Sequence, residues 1–186
     1  MIMYDIGQDH LEELQKSSGY PGEQIMVCEH EGEVWIGNVY CLIKLKSEVY
    51  KQLLELYPLE EDNIKKFKYK HIEKFMKYQP KIKKENKINY SDVIISDRKL
   101  LFNPARVYKH NDCLDFVSIE LDYITNKKRR YIEFHTKEEK GHVFGYRKDT
   151  KELIIIFMSL DFETIQIRKM LGMQIEEINL LLEGSK

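Results

Sequence analysis

Residues 153–160 read LIIIFMSL, the most apolar run in the chain. A short run of β-branched and aromatic residues bounded by charge and turn chemistry predicts an internal sheet strand. The segments before it alternate instead. Over residues 114–124, Val117, Ile119, Leu121 and Tyr123 share one face, while Ser118, Glu120 and Asp122 share the other. Over residues 129–136, Ile132 and Phe134 are expected inward, with Arg129, Tyr131, Glu133 and His135 outward. Residues 142–147 read as a further strand between Lys140-Gly141 and Asp149-Thr150. Residues 92–96 and 99–102 are shorter strand candidates. Asn103-Pro104 predicts a helix start, with Asn as cap and Pro at the first helical position, running to residue 109. Clean alternation of this kind predicts an antiparallel sheet with one solvated face.

Residues 1–57 repeat this order loosely. Residues 1–6 read as a short strand and residues 8–17 as a helix, with Leu11 and Leu14 on one face and Asp9, Glu12 and Glu13 in its first turns. Residues 24–30 and 33–36 flank Glu31-Gly32 and predict a hairpin. Gly37-Asn38 turns into a strand over residues 39–45. Ser47 is expected to cap a helix from residue 48 to 57, with Val49, Leu53, Leu54 and Tyr57 buried and Pro58 ending it.

Between the halves, charge is strongly segregated. Residues 1–64 carry 4 Lys against 13 Asp and Glu. Residues 65–87 carry 10 Lys against Glu73 and Glu85, while residues 88–186 balance at 16 of each sign. Ile64, Phe67, His71, Phe75 and Tyr78 recur at helical spacing, so residues 59–90 read as a lysine-rich helix closed by Gln79-Pro80, then an exposed linker. Such a block binds nucleic acid or acidic partners, or is simply a solvated face with its aromatics inward. The binding candidates are Lys65, Lys66, Lys68, Lys70, Lys74, Lys77, Lys81, Lys83 and Lys84, with Arg106 and Lys109 from the second half.

After Asp161, Ile167, Leu171, Ile178 and Leu182 form the stripe of a C-terminal helix over residues 161–184, divided by Gly172. It packs on its own sheet or joins two copies of the chain. A chain of 186 residues buries enough surface to fold without disulfides or metal. Cys28, Cys41 and Cys113 lack a framework spacing, which points to reduced thiols and a cytoplasmic protein. No secretory leader or membrane-spanning run is expected.

Catalytic signatures are absent from the sequence: no Gly-rich phosphate loop, nucleophile elbow or HExxH motif occurs. Cys113 with His110 is the one close Cys–His pair and lacks an orienting partner. Glu120, Asp122, Glu133, His135 and His142 fall on one expected sheet face, so a metal-dependent nuclease or hydrolase using Glu120, Glu133 and His135 is the enzymatic alternative. The spacing matches no metal motif, and Glu133-Phe134-His135 lacks the lysine of a restriction-endonuclease-like Glu-x-Lys. No cofactor is expected.

Two strand–helix–three-strand segments resemble the repeat of DNA sliding clamps. Residues 31–38 (EGEVWIGN) followed by 39–44 (VYCLIK) resemble a clamp hairpin. Phe102-Asn103-Pro104 and residues 154–160 resemble a clamp unit with its closing strand, in which Ser159 stands at the family's proline. The resemblance covers residues 1–57 and 91–160. It implies an α+β fold of two β-α-β-β-β units with antiparallel sheets, one clamp-like domain, plus a basic middle helix and a C-terminal helix. It further implies a non-enzymatic role, with DNA or a DNA-bound protein as partner and a ring only from several copies. Clamp helices present positive charge to DNA; here the first carries Asp9, Glu12 and Glu13, and the second offers Arg106 and Lys109.

Overall fold

The computed structural model describes residues 2–17, 24–39, 41–95, 105–110, 113–118, 129–136 and 142–158. The architecture is mixed α+β. Helix α1 (Ile2–Ser17) precedes strands β1 (Ile25–His30), β2 (Glu33–Gly37) and β3 (Cys41–Lys46), and helix α2 (Ser47–Leu56) follows. Next come β4 (Ile64–Lys66), the short helix α3 (Lys70–Met76), β5 (Asn89–Ile95), β6 (Ala105–His110) and β7 (Cys113–Ser118). Strands β8 (Ile132–His135), β9 (His142–Arg147) and β10 (Leu153–Met158) complete the order.

Strands β5, β6 and β7 form a separate antiparallel sheet of three strands. The main sheet has seven strands in the order β4-β1-β2-β3-β10-β9-β8, antiparallel except for β4 beside β1. Two three-stranded meanders therefore meet through their last strands, with Ile43 opposite Ile155 and Leu42 opposite Ile156. The apolar run is an internal strand, as its composition predicts.

The hairpin expected at Glu31-Gly32 is present. Both residues have positive φ, 49° and 79°, the two-residue geometry whose twist matches paired strands. At the β2–β3 turn, Asn38 donates its N–H to the Cys41 carbonyl at 3.0 Å and accepts the Cys41 N–H on Oδ1 at 3.0 Å. Alternation then sorts each strand between two cores. Val34, Ile36, Ile43, Leu45, Phe134 and Phe157 face α1 and α2. Trp35, Leu42, Phe144, Tyr146 and Ile156 face the other way. A bulge between Leu153 and Ile155 adjusts β10 so that Leu153 joins this second set.

Several expectations are corrected. The strand expected over residues 1–6 is replaced by helix: residues 2–6 belong to α1, because Ile6, His10, Leu11 and Leu14 make one buried face. Gly7 lets α1 lie close on α2, since a Cβ there would meet Leu53 Cδ1 at 2.7 Å. Gln8 Nε2 donates to Tyr57 Oη at 2.8 Å, and Tyr57 Oη donates to Glu12 Oε1 at 2.9 Å, tying the two helices. Ser47 opens α2 without a capping bond from its side chain; Lys46 holds the cap position, and the Ser47 N–H goes to the Gly32 carbonyl. The first half thus runs helix, three strands, helix.

The helix expected after Asn103-Pro104 is strand β6 instead, paired on both sides by β5 and β7. Val107 and Tyr108 suit a strand, and two flanking ladders outweigh a start signal. His110 and Cys113 are register partners closing the β6–β7 hairpin rather than a helix end. The expected strand at residues 99–102, residues 119–124 and the C-terminal helix over 161–184 lie outside the described residues.

Candidate nucleic-acid interface

The lysine-rich segment is a strap, not one long helix. Ile64, Lys65 and Lys66 extend parallel to β1, opposite Ile25, Met26 and Val27. The Phe67 N–H then reaches the Val27 carbonyl at 3.0 Å. Only residues 70–76 are α-helical. Lysines three and four residues apart repel on a helix, and the open β1 edge offers Ile64–Lys66 a ladder instead.

Beyond α3 the chain reaches the opposite edge of the sheet. Lys87 pairs with His135 as an antiparallel bridge. The Ile88 N–H donates to the Phe134 carbonyl at 3.0 Å, and the Thr136 N–H donates to the Asn86 carbonyl at 2.9 Å. Residues 64–88 therefore cross the sheet face opposite α1 and α2, fastened by backbone bonds at both margins.

Apolar side chains hold the middle. Phe67, Tyr69, Phe75 and Met76 pack on the core of Trp35, Leu42, Ile72, Phe144, Tyr146 and Ile156. Ile72 of α3 is completely buried. Each such side chain contributes on the order of 1–3 kcal/mol through burial. Rings interlock as well: Tyr69 stacks on His30 at 3.8 Å, and Phe75 and Tyr78 meet His142 edge-on at 4.8 and 5.7 Å. The Tyr146 hydroxyl, buried and raised above its usual pKa, donates to the Pro80 carbonyl at 3.5 Å.

This overturns the expectation of one solvated sheet face. His135, expected outward, is 2% exposed. Its ring meets Tyr146 edge-on, and the strap runs beside it. Burial lowers its pKa against the opposing pull of Glu133, whose Oε1 lies 3.7 Å from Nε2. Burial also lowers His142. Burial raises the Glu133 carboxyl, but a 2.6 Å hydrogen bond from Lys151, with His135 and Lys87 nearby, brings it below the usual range.

With its apolar side turned inward, the strap sends its charge outward. Lys65, Lys66, Lys68, Lys70, Lys74, Lys77, Lys81, Lys83, Lys84 and Lys87 are all exposed. Lys87, part of the basic run over residues 65–87 but not among the binding candidates named from the sequence, belongs to the same exposed set. Arg106 and Lys109 lie on β6, opposite Ile94 and Val117 and opposite Asn89 and Leu114 respectively. Tyr78 is 52% and Ile82 39% exposed amid the lysines. Beside them a cleft of about 330 Å³ is lined by Gln79, Pro80, Lys81, Lys83, Glu85 and Asn86. Lys83 pairs with Glu85 at 3.1 Å, and Asn86 Nδ2 donates to the Lys81 carbonyl at 2.9 Å.

The enzymatic alternative gains little. Glu133 and His135 come together, but Glu133 is engaged by Lys151, and His142 packs against Phe75 and Tyr78. Glu120 and Asp122 lie outside the described residues. Among the described residues, no three His, Cys, Asp or Glu are grouped to hold a metal ion. Cys28 and Cys41 are both buried, and burial raises the Cys28 thiol pKa. No described helix is long and apolar enough to cross a membrane. No protein-family model, curated protein or solved structure matches the chain.

Proposed function

We propose that this protein is a non-enzymatic, clamp-like domain that binds DNA, or a protein on DNA, through the strap. One observation carries the reading: ten lysines are exposed on a segment anchored across one sheet face, so its backbone is held before any partner arrives. Phosphate neutralisation by such a strip releases counterions and supplies affinity without sequence readout. The meeting of two three-stranded meanders at β3 and β10 supports a domain of two related halves. The leading helix α1 and the strand β6 depart from the clamp repeat, so the binding role rests on the strap rather than on a ring.

Binding to labelled DNA, measured across a salt series, tests this reading. Affinity should fall steeply with salt, each contacted phosphate adding about −0.9 to the logarithmic slope. Changing Lys81, Lys83 and Lys84 together to Glu should weaken binding and flatten the slope. Failure to retain DNA at low salt in any oligomeric form would refute it.

A further inference from the structure

We infer that the second half of the strap is a single-strand site, with Tyr78 stacking one base and the neighbouring cleft receiving the adjoining nucleotide. This rests on the DNA-binding reading and specifies the ligand. Duplex DNA keeps its bases stacked inside, so a lysine strip suffices for it and exposed rings add nothing. Single strands present base faces, and the proteins that hold them set aromatic rings among cations.

Tyr78 fits that role in three respects. Half of its surface is open to solvent. Its ring is held edge-on by His142 at 5.7 Å, which leaves it ordered before a base arrives. Lys77 and Lys81 flank it, both exposed. Ile82, four residues further along the strap, is a second exposed apolar side chain at 39%.

The cleft begins at the next residue, Gln79. Its volume of about 330 Å³ sits at the small end of ligand pockets, a size for one nucleotide. Lys81 and Lys83 supply cations for a phosphate, and Gln79 and Asn86 line the cleft with amides for a base edge, Asn86 already giving one Nδ2 hydrogen to the Lys81 carbonyl. Glu85 opposes an anion there, and its pairing with Lys83 at 3.1 Å offsets part of that repulsion.

The test compares fluorescence anisotropy of a labelled oligo(dT) strand, about 15 nucleotides long to cover one site, with a duplex of equal length at low salt. The single strand should bind the wild-type chain more tightly. Tyr78→Ala should weaken single-strand binding by about tenfold while leaving duplex binding unchanged, and Tyr78→Phe should restore it. Equal or tighter binding of the duplex by the wild-type chain overturns this inference alone. So does a folded Tyr78→Ala chain with undiminished single-strand affinity. Binding of neither form removes the DNA-binding reading as well.

Discussion

His142 of β9 and Phe75 of α3 meet edge to face, with ring centroids 4.8 Å apart and planes at 79°. This contact joins the most basic segment of the chain to β9, the strand beside the β8 edge of the sheet. Tyr78 leans on the same imidazole, so one half-buried histidine organises both the apolar underside of the strap and its exposed aromatic.

Phe75→Ala should therefore loosen the strap without unfolding the sheet. Phe75 is half-buried, so the loss should fall below the 3–5 kcal/mol typical of a core phenylalanine, at about 2 kcal/mol. Denaturant unfolding measures the cost. Limited proteolysis should show earlier cleavage among residues 64–88 than in the wild type, and an unchanged cleavage pattern would contradict the anchoring role.

Lys44 joins the two meanders. Its ammonium lies 2.9 Å from both Glu33, on β2, and Glu152, just before β10, and its side chain is only 14% exposed. Burial opposes its charge, but the two carboxylates outweigh that and raise its pKa. Lys44→Ala leaves two carboxylates facing each other and should cost about 1–2 kcal/mol, within the range between surface and buried pairs. A urea midpoint equal to wild type would show the bridge to be energetically idle.

Gly37 ends β2 where the chain folds back on itself. A Cβ there would collide with the Cys41 carbonyl oxygen, which belongs to backbone and cannot swing aside. Gly37→Ala should therefore destabilise by about 3 kcal/mol, at the upper end of overpacking costs. Thermal unfolding followed by circular dichroism would register this as a clear drop in Tm.

Acid should weaken the fold through its histidines. His10 is buried and donates from Nε2 to the Ile36 carbonyl at 3.2 Å, and burial lowers its pKa from 6.5 to about 4. The unfolded chain then binds the proton more readily than the folded one between these values. The stabilisation is whole above pH 6.5 and is lost as pH falls towards 4, by roughly 3 kcal/mol at most. His135 and His142, also lowered by burial, act in the same direction. His10→Gln keeps a donor for Ile36 without a titrating group, so its stability should depend less on pH across this window. An identical pH dependence in the variant would assign the effect elsewhere.

Local chemistry decided much of what the sequence alone determined. Glu31-Gly32 between alternating residues specifies a hairpin because a two-residue turn with positive φ suits glycine. Residues 153–158 specify an internal strand because nothing in them tolerates water. The segregation of ten lysines into residues 65–87 marks the basic surface before any coordinates exist.

Tertiary structure decided where those pieces went. Residues 64–66 become a strand because β1 has an open edge, which is a property of the sheet and not of Ile-Lys-Lys. His135 reads as a solvated position by alternation, yet it is buried because a distant segment crosses over it. Lys151 reaches Glu133 only because β8 and β10 both flank β9. Such pairings join residues far apart in the chain, and their energy comes from contacts that no local window of sequence contains.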